Sequence, residues 1–240
     1  MTNTTKIEHG DVQMVAHRGL SGLERENTCA AFVAAGVHSH WGIETDVWIT
    51  ADEKYILSHD GNLKRCSGVD IDIAKSRFDT LHAIPLLDTD GESLRTDLYP
   101  ATLDDYLSIC RKYGKQAVLE LKGNFPEKHV DGVIETITQY GWYERTTVIS
   151  FNRESLVTAR RLCPDLDIEV LEWKGTDEVL EFMRKYRVGA DLHHGGISKE
   201  FVDAAHADGF KVNVWTIDTP EMAAQMIALG VDQMTTNILE

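Results

Sequence analysis

The chain lacks any run of residues long and apolar enough to cross a bilayer as a helix, so stable membrane insertion is not expected. Its first residues, Met1-Thr2-Asn3-Thr4-Thr5-Lys6, carry no apolar segment of the secretory type, which points to a cytoplasmic protein. Cysteine is sparse. Of the four, Cys29, Cys66, Cys110 and Cys163, none forms a C-x-x-C pair or stands beside a histidine at zinc spacing. That excludes a disulfide framework and a zinc knuckle, and leaves buried thiols in a reducing compartment. Positive charge is also scarce: 24 Lys and Arg against 39 Asp and Glu give a net charge of -15. A nucleic-acid partner is thereby argued against, because phosphate backbones demand basic patches. A small phosphate-bearing substrate would need local arginine and lysine to admit it. The G-x-G-x-x-G fingerprint of dinucleotide folds is absent, as are low-complexity tracts and any repeat beyond a strand–helix period.

What is present is alternation. Strand-like runs occur at 13–17, 42–48, 116–122, 147–151, 167–172, 188–192, 211–217 and 231–236. Several are near-continuous β-branched and leucine stretches, as parallel strands buried on both faces require. Helical stretches fall between them at 28–38, 103–113, 127–140, 154–162, 177–186, 199–207 and 220–229. Thr28, Thr102, Thr176, Ser198 and Thr219 stand at N-cap positions, with Pro220 as a first helical residue. Gly114, Gly141, Gly189, Gly209 and Gly230 fall where left-handed helix stops belong. The 240 residues suit one α/β domain, 1–240, folded as a (β/α)8 TIM barrel. The stretch 48–100 is too long for an ordinary βα loop and reads as an insertion after the second strand, an inserted subdomain at about 52–100 over the barrel mouth. The chain stops just past the eighth strand, so the closing helix is expected to be missing or vestigial.

Chemistry concentrates at the predicted strand ends. His17-Arg18-Gly19 closes the first strand, Glu44 and Asp46 lie in the second, and Glu120 and Lys122 end the third. Ser58-His59-Asp60 opens the insertion. Alternate residues of a strand share a face, so Glu44 and Asp46 point together, as do Glu120 and Lys122. The C-terminal strand ends are where barrel enzymes hold their sites. Three acids converging there repel one another, and one divalent cation resolves the conflict. All-oxygen ligation favours Mg²⁺ or Ca²⁺. Arg18 and Lys122 are the natural phosphate clamps, Arg18 with a bidentate fork. His17 and His59 could supply a general base and a general acid near neutral pH. Trp215 ends the seventh strand, where it either walls the site or fills the rim. His193 and His194 read as a solvated loop, and Phe151 as packing.

These residues carry a resemblance. His17-Arg18-Gly19, Glu26-Asn27-Thr28, Phe32, Glu44-Thr45-Asp46-Val47, Thr50, Asp52, His59-Asp60, Leu63 and Arg65 come first. Tyr99-Pro100-Ala101-Thr102-Leu103, Glu120-Leu121-Lys122, Ser150-Phe151 and Val214-Trp215-Thr216 follow in the same order. Together they resemble the glycerophosphodiester phosphodiesterases. The resemblance implies a TIM barrel with an insertion after strand two. It also implies hydrolysis of diesters such as glycerophosphocholine or glycerophosphoethanolamine to glycerol 3-phosphate and an alcohol. By it Glu44, Asp46 and Glu120 are metal ligands, His17 and His59 catalytic, Arg18 and Lys122 phosphate contacts, and Trp215 a pocket aromatic. The sequence departs from the family pattern at Arg25, Cys66, Asn237 and Leu239, where Pro, Thr, Asp and Pro are usual. Two competing readings are a lysophospholipase D and a barrel that binds phosphorylated metabolites without turnover. A small-molecule partner is expected, and a homo-oligomer is compatible with the sequence.

Overall fold

The computed structural model describes residues 3–240. Its order is β1 (Gln13–Ala16), α1 (Cys29–Val37), β2 (Gly42–Ile49), β3 (Tyr55–Leu57), α2 (Lys64–Ser67), α3 (Phe78–His82), β4 (Leu86–Leu87) and β5 (Leu94–Arg95). There follow α4 (Leu103–Tyr113), β6 (Gln116–Leu121), α5 (Glu127–Gln139), β7 (Thr146–Ser150), α6 (Arg153–Leu162), β8 (Asp167–Glu172) and α7 (Asp177–Tyr186). The chain ends with β9 (Gly189–His193), α8 (Lys199–Ala207), β10 (Val212–Trp215), α9 (Pro220–Leu229) and β11 (Gln233–Thr236).

The parallel strands run β1-β11-β10-β9-β8-β7-β6-β2, and β2 pairs back onto β1 to close a TIM barrel. In register, Asp46 stands beside Glu120 across β2 and β6, which brings the acids of two strands to one level. Four apolar side chains, Val15, Val118, Ile149 and Leu171, plug the interior beneath the mouth. The larger apolar core lies between barrel and helices, with Phe32, Tyr106, Leu107, Leu156, Val202 and Val214 fully covered. Each such side chain contributes about 1.5–3 kcal/mol by leaving water.

The caps act as their chemistry requires. Thr28, Thr102, Thr176, Ser198 and Thr219 each accept a backbone N–H of their helix's first turn, and Thr102 forms a reciprocal box with Asp105. Gly114, Gly141, Gly209 and Gly230 take positive φ after helices. Gly189 does not: it lies in β9, and Arg187 at φ 54° makes the left-handed stop of α7 instead.

The stretch between β2 and α4 begins as a direct continuation of the barrel. β2 turns back as an antiparallel hairpin onto β3, with Val47 opposite Leu57. Ile56, Leu63, Ile73 and Leu81 then form a small separate core. Among the described residues no helix follows β11. Residues 237–240 lie beside the N-terminal segment, with Thr5 bridging Leu239 and Ile7 N–H donating to the Glu240 carbonyl at 2.7 Å. No helix of the described residues is long and apolar enough to cross a membrane.

Candidate active site

The mouth of the barrel opens into a cavity of about 220 Å³ whose wall includes His17, Arg18, Glu44, His59, Glu120, Phe151, Trp173, Asp191 and Trp215. Asp46 and Lys122 stand behind this wall.

The turn after β1 explains the His-Arg-Gly triplet. Arg18 and Gly19 both take left-handed backbone, φ 54° and 78°. A Cβ on Gly19 would stand 2.7 Å from the Ala31 carbonyl carbon, so only glycine fits. The turn aims the Arg18 backbone N–H at Glu44 Oε2, 2.7 Å away, and the Gly19 N–H donates to the Glu44 carbonyl at 3.1 Å. Asn27, also left-handed at φ 55°, donates from Nδ2 to Asp46 Oδ2 at 2.8 Å and accepts from the Thr45 hydroxyl at 2.6 Å.

Glu44, Asp46 and Glu120 each bring a carboxylate oxygen within 4.8 Å of the others. Burial, then the charge of Asp46, pushes Glu44 well above the usual carboxylate range. The same causes raise Glu120 to about 8. Burial would raise Asp46 too, but Lys122 and Arg18 hold it down at about 2. Lys122 Nζ sits 2.9 Å from Glu120 Oε1 and 3.4 Å from Asp46 Oδ1. Three buried acids share only Arg18 and Lys122, too little positive charge for all of them to ionise together, and a cation among them would let them do so. Their all-oxygen set therefore fits a hard divalent cation.

Both histidines are tethered through Nδ1. His17 Nδ1 lies 2.8 Å from Asn237 Oδ1, and Asn237 Nδ2 donates in turn to Asp218 Oδ2 at 2.6 Å. His59 Nδ1 lies 2.8 Å from Asp60 Oδ1, and Arg65 Nε donates to Asp60 Oδ2 at 2.6 Å. Nδ1 donates in both, which leaves Nε2 of the neutral ring unprotonated. Burial, then Arg18, lowers His17 to about 4. Burial also lowers His59, opposed by Asp46 and by the Asp60 bond. Arg18 donates from Nη1 to Glu26 Oε1 at 2.9 Å, and Arg65 grips Glu26 with bonds of 2.6 and 2.8 Å. Arg18 Nε is buried without a partner among the described residues, beside Asp46 Oδ2 at 3.6 Å.

The opposite wall is aromatic. Phe151, Trp173, His193 and Trp215 close on one another with ring centroids 5.1–6.1 Å apart. His193 is thus the end of β9 packed into this cluster, not part of a solvated loop, because strand parity turns it toward the barrel axis. Phe151 and Trp173 are 42% and 60% exposed, too open for core residues, so this wall forms part of the rim.

Asp60, Arg65, Glu26, Asn27 and Asn237 hold the site together, yet the sequence alone assigned them no part. Trp173 was missed as well. Its signal was parity, two positions beyond the inward-facing Leu171.

Comparison with known proteins places the chain firmly. The sequence pattern of the Glycerophosphoryl diester phosphodiesterase family matches residues 17–240. A glycerophosphodiester phosphodiesterase of Caldanaerobacter subterraneus is 29% identical over 231 residues, covering 93% of each chain. The chain superposes with a TM-score of 0.85 on a phosphodiesterase of Oleispira antarctica solved with its product sn-glycerol-3-phosphate, at 25% identity over 94% of this chain and 92% of that one. A lysophospholipase D of Homo sapiens is 42% identical over 64 residues, 27% of this chain and 20% of its own.

Proposed function

The chain belongs to the glycerophosphoryl diester phosphodiesterase family and is a hydrolase of that class, and from this premise we propose that it converts glycerophosphocholine or glycerophosphoethanolamine to glycerol 3-phosphate and the alcohol, using one divalent cation and two histidines. Glu44, Asp46 and Glu120 would hold the cation, Mg²⁺ or Ca²⁺. When bound, it offsets the negative charge that builds on the phosphoryl oxygens. Arg18, which lines the cavity, adds fixed positive charge beside it. Lys122, paired with Glu120 and Asp46, offsets their charge and adds a positive charge close to the phosphate site.

His17 is the base of the first step. Its tether is a neutral amide, so the ring stays uncharged, and Nε2 takes the proton of the glycerol 2-hydroxyl. That oxygen forms the new bond to phosphorus while the bond from phosphorus to the headgroup oxygen breaks. His59, where Asp46 and the Asp60 bond counter the lowering by burial, gives a proton from Nε2 to the departing alkoxide. Water then opens the five-membered cyclic phosphate, with His59 taking the water's proton and His17 returning one to the 2-oxygen. Proximity favours the neighbouring hydroxyl over free water in the first step. Trp215 lines the cavity beside the substrate.

The observation that carries this reading is one cavity bounded by His17, His59, Glu44 and Glu120. The test is release of glycerol 3-phosphate from headgroup diesters. Chelation should abolish it, and Mg²⁺ or Ca²⁺ should restore it. Undiminished release in chelator sinks the metal assignment. The local likeness to a lysophospholipase D and the exposed aromatic rim favour a second reading, turnover of the lyso-lipid. Faster cleavage of lysophosphatidylcholine than of glycerophosphocholine would select it. A cytoplasmic location belongs to the same proposal, and cell fractionation checks it.

A further inference from the structure

At the floor of the cavity stands a carboxylate that the proposed chemistry leaves unused. Asp191 is the inward residue of β9, flanked in register by Leu171 on β8 and Asn213 on β10. It is 2% exposed and lines the same cavity as His17 and Glu44. Its Oδ1 is fully covered and has no hydrogen-bond partner among the described residues. Leaving such an oxygen unpaired costs about 1–3 kcal/mol.

The surroundings offer it no donor. Leu171 and Ile149 are apolar. The Trp215 indole N–H is turned to the Asp191 backbone carbonyl, 3.3 Å away, and the Thr235 hydroxyl is engaged with Asn213. Oδ1 is sealed by protein, so it is the other carboxylate oxygen, also without a hydrogen-bond partner among the described residues, that a ligand entering the cavity can reach, and the ligand must bring the donor itself.

Which arm of a diester does so follows from shape. The headgroup alcohols vary, and a variable group needs the open rim at Trp173. The glycerol arm is constant, and a floor of fixed strands suits it. Attack on phosphorus uses the 2-hydroxyl of that arm. One carbon farther lies the terminal hydroxyl, the remaining donor. We infer that Asp191 accepts a hydrogen bond from the terminal hydroxyl of the substrate's glycerol arm and so selects free glycerol over arms in which that hydroxyl is missing or acylated. The inference rests on the proposed function and sharpens it. An acyl group on that oxygen removes the donor and meets the closed floor, so lyso-lipids are poor substrates.

Glu169 is a second unpaired acid one step deeper, crowded against Gly189, where a Cβ would meet its Cγ at 3.0 Å. It does not line the cavity. Were Asp191 merely its polar companion, replacing Asp191 would change stability and leave substrate choice untouched.

The experiment compares kcat/KM for glycerophosphocholine with that for its 2-hydroxypropyl analogue, which keeps the attacking hydroxyl and lacks the terminal one. The wild type should prefer the glycerol diester by about 10- to 100-fold. Asp191→Leu should bring the two within about threefold, mainly by loss on the glycerol diester. Asp191→Asn keeps the shape and covers a leucine variant that does not fold; its ratio should drop by at least about threefold. A wild-type ratio near one overturns the inference, as does full discrimination in a folded variant. A wild type inert toward both diesters overturns the proposed function, and this reading with it. Normal turnover of glycerophosphocholine without discrimination overturns this reading alone.

Discussion

The two sides of the barrel mouth are built on opposite principles. On the side of β1, β2 and β6, nearly every polar atom is held: Glu44 by a backbone N–H, Asp46 by Asn27, Glu120 by Lys122, His17 by Asn237. On the side of β7 to β10, rings pack on rings with few hydrogen bonds, and two of them face solvent. The held side fixes charges where they must not move, since misplacement of a charge by an ångström forfeits much of its effect. The aromatic side offers area without direction and tolerates variation. On the proposed function, chemistry and recognition are thus divided between the halves of one rim.

That division can be broken first at its strongest point. Glu44→Gln or Glu120→Gln should lower kcat/KM by about 10³-fold or more and abolish Mg²⁺ or Ca²⁺ binding in a calorimetric titration. The melting temperature of the chelated protein should not fall, because each change relieves repulsion among buried acids. A variant that still binds the ion tightly would remove Glu44 or Glu120 from the ligand set. Next in size, His17→Asn and His59→Asn should each cost about 10²- to 10⁴-fold in kcat while leaving metal affinity near wild type. Comparable activity in either would reassign the proton transfers.

On the aromatic side the effect should be small and of another kind. Trp173→Ala should raise KM by about 3- to 10-fold with little change in kcat, measured across headgroup diesters. A collapse of kcat instead would mean that this wall positions the reacting atoms. The smallest effect concerns protons. In chelated protein the His17 ring should titrate near 4 by NMR. Between the ordinary imidazole range and that value the unfolded chain binds the proton and the folded chain does not, so stability should decline as pH drops from about 6.5 toward 4. Asn237→Asp, which replaces the amide tether by a carboxylate, should raise the midpoint and flatten the decline. A midpoint near 6.5 in the wild type contradicts the burial argument.

The alternation of strands and helices was legible because each element carries its own period and its own caps, and Thr102 with Asp105 states its role within four residues. Glu44, Asp46 and Glu120 were legible as a cluster since strand parity and like charge leave few alternatives. The tethers were not. Asn237 is 220 positions from His17, and Arg65 is 39 from Glu26, so nothing local announces either pair. Arg187 served as a helix stop where Gly189 was expected: this exposed arginine takes φ 54°, its N–H donates to the Met183 carbonyl and its own carbonyl accepts from Arg160 Nη2 at 2.7 Å, bonds that offset the left-handed strain.

The sequence alone determined the period of the barrel, the sites of its caps and the residue types able to grip a cation and pass protons. These depend on spacing and side-chain chemistry, which a linear chain already contains. Only closure of β1 onto β2 decided that both histidines share one cavity, that Arg18 answers to Glu26, and that Asp191 lies beneath the mouth without a partner. Such neighbours come from distant stretches of chain, and their distances exist only after the apolar core has drawn the strands into a ring.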